Sequence, residues 1–137
     1  MSFAESVAVR EASPVKRGRG ALVALWAVQV VLAGMFLLAG GSKLAGVPEM
    51  VALFHAIGLG QWFRYVTGLI EVASALALLW PPSAPFGAVA LIVTMVGAVG
   101  THLFIVGGSP AVPGVLLLGS GAVAWARRDQ LRAVLSR

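Results

Sequence analysis

Residues 65–80 read YVTGLIEVASALALLW, and this stretch decides the fold of the chain. It holds one carboxylate, Glu71, in a run that is otherwise apolar enough to be buried in a membrane. An ionisable side chain at the centre of a membrane helix costs roughly 2.5–3.5 kcal/mol on insertion scales, so it normally faces the interior of a helix bundle. We therefore expect Glu71 to meet polar groups from neighbouring helices.

The composition extends this interpretation to the whole chain. The 137 residues are 59% hydrophobic and 11% charged, more apolar surface than a soluble domain of this size can bury. Four apolar runs account for the excess: residues 21–40, 65–80, 84–106 and 112–126. Two can cross about 30 Å of hydrocarbon directly, and two can do so with their flanks. The prediction is an all-α integral membrane protein with four spans.

Short connections predict how the spans are arranged. Residues 81–85 (PPSAP) and 107–110 (GGSP) cannot continue a helix, which favours antiparallel neighbours and an up-down-up-down four-helix bundle. We expect a transmembrane domain over residues 21–126, between a cytoplasmic tail of residues 1–20 and a basic cytoplasmic tail of residues 127–137. A cleaved signal peptide is the rival interpretation of the first run, but that run is long and no A-x-A pattern follows it.

The net charge of +5 is concentrated beside the first and last spans. This distribution predicts a multi-pass protein of the plasma membrane with both termini cytoplasmic, and no nucleic-acid partner. The flanking basic residues are Lys16, Arg17 and Arg19, then Arg127, Arg128, Arg132 and Arg137.

The long connection at residues 44–64 predicts a short amphipathic helix on the outer surface between spans one and two. Pro48 suits its first turn and Gly58 its end. Its apolar face would comprise Val47, Met50, Val51, Phe54 and Ile57. Aromatic residues are expected at the two membrane interfaces, namely Trp62, Phe63 and Tyr65 outside and Trp80 and Trp125 inside.

Counting along the predicted spans places three ionisable side chains at similar depth. Lys43 lies at the outer end of span one, Glu71 about 10 Å below the outer end of span two, and His102 about 6 Å below that of span three. We expect them to share a polar layer as ligand-binding or proton-handling candidates. Secondary candidates are His55, Arg64, Thr67 and Thr101.

Four predicted stripes of polar or small residues would face one another in the bundle. They are Gln29, Phe36, Gly40 and Lys43; Thr67, Glu71, Ser74 and Ala75; Thr94, Ala98, Thr101 and His102; and Gly114, Leu118, Gly121 and Trp125.

Each polar candidate also has a purely structural interpretation. Lys43 could be an interfacial lysine that snorkels, His102 a packing histidine, and His55 a solvated residue. Gln29, near mid-bilayer by counting, is expected to hydrogen-bond between helices. For Glu71 the alternatives are a structural salt bridge to Lys43 or Arg64 and a ligand-binding or proton-handling role, and the sequence leaves both open.

The motifs around these residues resemble the DoxX-like family of small four-helix membrane proteins. They are residues 36–44 (FLLAGGSKL), 54–59 (FHAIGL), 67–72 (TGLIEV) and 95–102 (MVGAVGTH), within a resemblance over roughly residues 30–126. The resemblance singles out Lys43, Gly68 and Glu71, and less strongly His102. It implies subunits of quinol-linked oxidases and thiosulfate–quinone oxidoreductases, other membrane redox components, or assembly factors.

These observations lead to one main functional hypothesis and an alternative. The first is an accessory or anchoring subunit of a quinone-linked membrane redox complex, with a quinone or lipid head group in the outer polar pocket and redox subunits as partners. The alternative is a non-redox membrane scaffold or assembly chaperone with Glu71 in a structural salt bridge. A homo-oligomer is left open.

Other function classes are poorly supported. With no cysteine and two histidines, no metal, iron–sulfur or haem site is expected. One acid in the spans does not make a proton path. No catalytic residue is assigned, so the chain is not expected to be an enzyme on its own.

Overall fold

The computed structural model describes Ser2 and residues 18–136, and in these residues the chain is helical with no β-strand. Its elements are α1 (Arg19–Ala45), α2 (Pro48–Ile57), α3 (Gln61–Leu78), α4 (Ala84–Thr101), a π-helical segment (His102–Val106), α5 (Ala111–Ala126) and α6 (Arg128–Leu135). Most of the predicted N-terminal tail, including Lys16 and Arg17, lies outside the described residues, as does Arg137. The predicted C-terminal tail contains the short helix α6.

The first helix continues through Gly40 and Gly41 to the end of the first apolar motif. It stops at Gly46, whose φ of 73° is left-handed and whose amide donates to the Lys43 and Ser42 carbonyls. A left-handed glycine is a common helix terminus because it satisfies free carbonyls without a Cβ clash. The extension past residue 40 places Lys43 in the last turn of α1.

The connection at residues 44–64 contains the expected short helix, α2. Pro48 is its first residue, and Gly58 ends it with a φ of 84°. Phe54 is buried and packs edge-on against Phe63 at a centroid distance of 5.8 Å. Phe63 is half-buried and also contacts the exposed ring of Trp62, so it joins α2 to the start of α3. The polar face is exposed at Glu49, Ala52, His55 and Ala56.

The long helices pack in a sequential order around one core. The most extensive contacts join α1 to α3, α4 to α5 and α3 to α4, whereas α1 and α5 touch less. The core cluster comprises Leu32, Ala33, Phe36, Ala75, Leu78, Ala88, Leu91, Met95, Leu116 and Val123. Three of the four predicted stripes face this interior or the cavity described below.

The stripe predicted on α5 is wrong. Leu118 and Trp125 are 75% and 68% exposed, so this face looks outward. The buried face of α5 instead carries Pro113, Leu116, Ser120 and Val123. Glycines occur on both faces of α5, so the small-residue pattern did not distinguish them.

The outer surface is strongly apolar, as expected for a membrane protein. Leu38, Phe104 and Leu118 are 78%, 85% and 75% exposed, and water would solvate such a surface poorly. In the described residues, two helical stretches are long and apolar enough to cross a membrane: α1, with 27 residues, and Ala84–Val106, with 23. Only 22% and 11% of the most apolar 18-residue segment of these two stretches is buried, whereas core helices of soluble proteins are mostly buried.

The other two predicted spans do not meet this criterion on their own. The helix α3 carries Arg64 and Glu71 within 18 residues, and α5 has only 16 residues. Polar content in one and short length in the other explain the difference from the predicted four spans.

Candidate functional site

An ion pair joins the first and third helices. The Lys43 Nζ atom donates to Glu71 Oε2 at 3.1 Å. The Glu71 side chain is 2% exposed and that of Lys43 is 14% exposed. Lys43 therefore points into the protein, and its interpretation as a snorkelling interfacial lysine is wrong. The inward orientation expected for Glu71, with Lys43 as its cation, agrees with this geometry.

Two glycines allow this ion pair to form. A Cβ on Gly40 would lie 2.8 Å from the Gly68 carbonyl oxygen, and a Cβ on Gly68 would lie 3.0 Å from that of Gly40. The backbones of α1 and α3 thus approach each other where neither residue has a side chain. Gly40 precedes Lys43 by one helical turn and Gly68 precedes Glu71 by the same interval, so this crossing brings the two charges together.

Arg64 is buried next to the ion pair but has different partners. It is 5% exposed, donates from Nη1 to the Lys43 carbonyl oxygen and from Nε to Gln61 Oε1 at 2.7 Å. Gln61 in turn donates to the Val51 carbonyl at 3.0 Å, which connects α2 to this cluster. Arg64 therefore stabilises the end of α1, and the salt bridge of Glu71 is formed by Lys43.

A cavity of about 580 Å³ lies beside the ion pair. Its size is typical of small-molecule sites, and its lining is mainly apolar. It is lined by the C-terminal part of α1, the N-terminal part of α3, the C-terminal part of α4 and the N-terminal part of α5, with α2 contributing Met50, Leu53, Phe54 and Ile57. Its polar lining residues are Lys43, Thr67, Glu71, Thr94, Thr101, His102 and Ser109.

The threonine hydroxyls of the cavity donate to their own helices. Thr67 Oγ1 lies 2.9 Å from the Phe63 carbonyl, and Thr101 Oγ1 lies 2.8 Å from that of Gly97. A hydroxyl whose proton is engaged in this way can still accept a hydrogen bond. These two residues therefore offer acceptors to a ligand.

His102 lines the same cavity and contacts the chain that follows it. Its Nδ1 atom lies 3.2 Å from the Gly107 carbonyl oxygen. A carbonyl can only accept, so Nδ1 carries a proton in this contact, and in the neutral ring Nε2 is an acceptor. His102 thus shares the cavity with Glu71, but its Nδ1 atom hydrogen-bonds to the backbone.

Five of the seven site candidates meet in one place. Lys43, Glu71, His102, Thr67 and Thr101 all line the cavity, whereas His55 is on the exposed side of α2 and Arg64 lies under the end of α1.

Sequence reasoning missed a second buried polar cluster at the opposite end of the helices. Gln29 is fully buried, donates to the Leu78 carbonyl at 2.6 Å and accepts from Arg127 Nε at 2.8 Å. Arg127 is 7% exposed and also lies 5.3 Å above the Trp26 ring. The prediction that Gln29 hydrogen-bonds between helices is confirmed, and its acceptor is the carbonyl of Leu78, the last residue of α3.

The cluster continues into α6 and explains why Arg127 differs from its neighbours. Arg127 Nη1 donates to Gln130 Oε1 at 3.0 Å, and Gln130 donates to the Pro81 carbonyl at 2.8 Å. Arg128, by contrast, stacks on the exposed ring of Trp125. Arg127 follows α5 directly and Gln29 is the only amide in the first apolar run, a pairing that could have suggested this contact.

Comparison with known proteins assigns a family to this arrangement. The model of the DoxX-like family matches residues 27–128, most of the chain. The chain belongs to the DoxX-like family. The matched region includes the ion pair, the glycine crossing and the Gln29–Arg127 contact. The resemblance first noted on short motifs is thus confirmed.

One curated relative of the DoxX-like chain comes from Bacillus subtilis (strain 168) and carries the name "Uncharacterized protein YdgD". The two are 40% identical over 75 residues, which cover 51% of this chain and 66% of the relative. The alignment therefore spans slightly less than two thirds of the relative's length. No solved structure matches the DoxX-like chain.

Proposed function

We propose that this DoxX-like protein is an accessory or anchoring subunit of a quinone-linked membrane redox complex, and that its cavity binds the quinone ring. The observation that supports this most directly is a largely apolar cavity of about 580 Å³ with the Lys43–Glu71 pair in its wall. Electron transfer would be carried out by a flavin, haem or metal centre in a partner subunit.

The lining chemistry suits a quinone. Its flat apolar ring would pack among Phe36, Phe54 and Met95, and its carbonyl oxygens need hydrogen-bond donors. Lys43 has three N–H groups and uses one on Glu71, which leaves donors for a ligand oxygen. After reduction to a hydroquinone, the ligand hydroxyls would need acceptors, and the His102 Nε2 atom and the threonine oxygens are suited to that task.

We also propose the membrane arrangement in which this site would work. The helices α1, α3, α4 and α5 would cross the plasma membrane in alternating directions, with both termini cytoplasmic and α2 at the outer surface. Alternating helix ends around the cavity and the basic residues at Arg127 and Arg128 support this arrangement. Reporter fusions after residue 137 and within residues 107–110 should report cytoplasmic and outer locations, respectively; two fusions on the same side would exclude it.

Filling the cavity tests ligand binding directly. Ala98 lines the cavity and Ala73 lies on the exposed face of α3, so Ala98→Phe and Ala73→Phe add the same volume at matched alanines. With the full chain in nanodiscs, a soluble short-tailed benzoquinone should bind saturably to the wild type and Ala73→Phe, and at least about tenfold more weakly to Ala98→Phe. Absence of saturable binding to the wild type would overturn the ring site.

The partner is tested separately. Extraction of the tagged chain in a mild detergent should recover a protein that contains flavin, haem or metal, identified by its absorption spectrum and by mass spectrometry. Recovery only of membrane-insertion machinery or of client proteins without redox centres would favour the alternative function.

The alternative is a membrane scaffold or assembly chaperone, favoured by the fact that Lys43 and Glu71 already satisfy each other. Under the redox proposal, Glu71→Gln impairs quinone-dependent turnover of the complex while the protein remains folded. Under the scaffold proposal, any fall in quinone turnover in Glu71→Gln or Lys43→Met only follows the loss of folded protein. Normalising turnover to the amount of folded chain separates the two outcomes.

A further inference from the structure

A second, apolar depression runs along the seam between α1 and α5. It has a volume of about 320 Å³ and is lined by Ala27, Val28, Val31, Leu32, Met35, Val115, Leu116 and Gly119. We call it the seam groove. Leu116 also lines the cavity of the candidate site, so the two spaces meet at one residue.

The seam groove lies where the helix packing is weakest. The helices α1 and α5 contact each other less than the pairs α1–α3, α3–α4 and α4–α5 do. A Cβ on Gly119 would lie 3.0 Å from Leu32 Cδ2, so the missing side chain at this position lets Leu32 form the floor. The groove walls Val31 and Val115 are 61% and 65% exposed, which leaves the groove accessible from the side.

Polarity changes along the path from the cavity to the groove. The cavity carries the charged pair at the C-terminal end of α1, whereas all side chains of the groove are apolar. From Met35 back to Ala27 the groove follows α1 for about 12 Å at 1.5 Å per residue, away from Lys43. A mainly apolar cavity with a charged pair in its wall, next to a wholly apolar groove, fits an amphiphile with a compact polar head and a long apolar chain.

We infer that the seam groove holds the apolar tail of the quinone whose ring occupies the cavity. This inference rests on the proposed function and adds the ligand class, a long-tailed lipophilic quinone. The ring would lie against the Lys43–Glu71 pair, and the tail would pass Leu116 and lie between α1 and α5. The shared wall residue Leu116 supports this occupant over an unrelated lipid chain, because a chain in the groove would then end beside the ring in the cavity.

The groove is expected to position the tail more than to strengthen binding. Bilayer hydrocarbon is as apolar as the groove, so transfer between them brings little hydrophobic gain, and the remaining attraction is van der Waals packing. The location of the tail is therefore the informative measurement.

Photo-crosslinking can locate the tail. The probe is a benzoquinone with a decyl tail that ends in a diazirine, added to the full chain in phosphatidylcholine nanodiscs and irradiated. Mass spectrometry should find the label concentrated on the groove residues Val28, Val31, Met35 and Val115, and an excess of a tailless benzoquinone should compete it away. Label spread over outward-facing side chains such as Val30 and Leu118 in proportion to their exposure would overturn the inference.

Two valine substitutions provide a matched control. Val31 lines the groove, and Val30 is outside it at a similar exposure of 55%. Val31→Trp should displace the tail and reduce labelling of the other groove residues by the decyl probe at least about fivefold while leaving binding of the tailless quinone unchanged, whereas Val30→Trp should change neither. Equal labelling of the groove in both variants, or unchanged labelling in Val31→Trp, would contradict a tail in the groove.

These measurements separate the two proposals. If the tailless quinone binds saturably and the tail label is scattered, only the tail inference fails. If the tailless quinone does not bind, the ring site itself fails, and with it the proposed function.

Discussion

The Lys43 Nζ and Glu71 Oε2 atoms lie 3.1 Å apart, about one helical turn beyond the close backbone contact of Gly40 with Gly68 that joins α1 and α3. Both side chains are largely buried and both line the cavity. The ion pair therefore serves both to hold two helices together and to place charge in the cavity wall.

Removing the cation alone should destabilise the protein strongly. Lys43→Met leaves the Glu71 carboxylate buried without its counter-charge, which we expect to lower the free energy of unfolding by about 3–5 kcal/mol. Lys43→Met/Glu71→Met removes both charges and should recover a large part of this loss. The measurement is SDS-induced unfolding in mixed micelles. A double variant as unstable as Lys43→Met alone would show that the buried charge is not the cause.

The exposed pair of Asp129 and Arg132 is a control for this experiment. Its atoms are 3.9 Å apart, and the two side chains are 70% and 73% exposed. Asp129→Asn should change the free energy of unfolding by less than about 1 kcal/mol, because water screens such pairs.

Small substitutions at the helix crossing should be costly. Gly40→Ala places a Cβ 2.8 Å from a backbone oxygen of α3, which must move, so we expect a loss of about 1–3 kcal/mol. Gly41→Ala meets no atom within 4 Å and should be neutral or slightly stabilising. Both are measured by the same SDS titration, and equal effects of the two alanines would contradict close packing at Gly40.

The polar cluster at the opposite end should matter for stability. Gln29→Leu leaves the Leu78 carbonyl and Arg127 Nε without that hydrogen-bond partner in a buried site, at a cost of about 1–3 kcal/mol. Thr94→Val is the control, because the Thr94 hydroxyl only adds a second bond to a carbonyl of its own helix. Comparable unfolding midpoints for the two variants would argue against a stabilising role of the cluster.

The short helix α2 should depend on a single aromatic side chain. Phe54 is 4% exposed and packs on Phe63, so Phe54→Ala should release α2 from the bundle and accelerate hydrogen exchange of its amides at least about tenfold. Leu59→Ala, at a residue that is 57% exposed, should leave the exchange unchanged. Unaltered protection of α2 in Phe54→Ala would mean that its other contacts suffice.

Sequence reasoning found most of the site because helical spacing is regular. Thr67 and Glu71 are one turn apart, as are Thr94 and Ala98, so each pair had to share a face wherever its helix packed. Sequence reasoning failed on α5, because small residues occur on both faces of this helix and their spacing does not show which face is buried. It also failed for Arg127, which was assigned to the basic cytoplasmic tail but is buried against Gln29.

The sequence by itself determined the helices, their apolar character and the need for a partner for Glu71, because these follow from hydropathy, chain breakers and the cost of a charge in hydrocarbon. Only the tertiary structure decided that the partner is Lys43 and not Arg64, and that His102 shares the cavity while its Nδ1 atom hydrogen-bonds to the Gly107 carbonyl. Such pairings depend on the rotation and separation of whole helices. The rotation and separation are set by close backbone contacts between helices, such as that of Gly40 with Gly68. Residue spacing within one helix cannot predict such contacts.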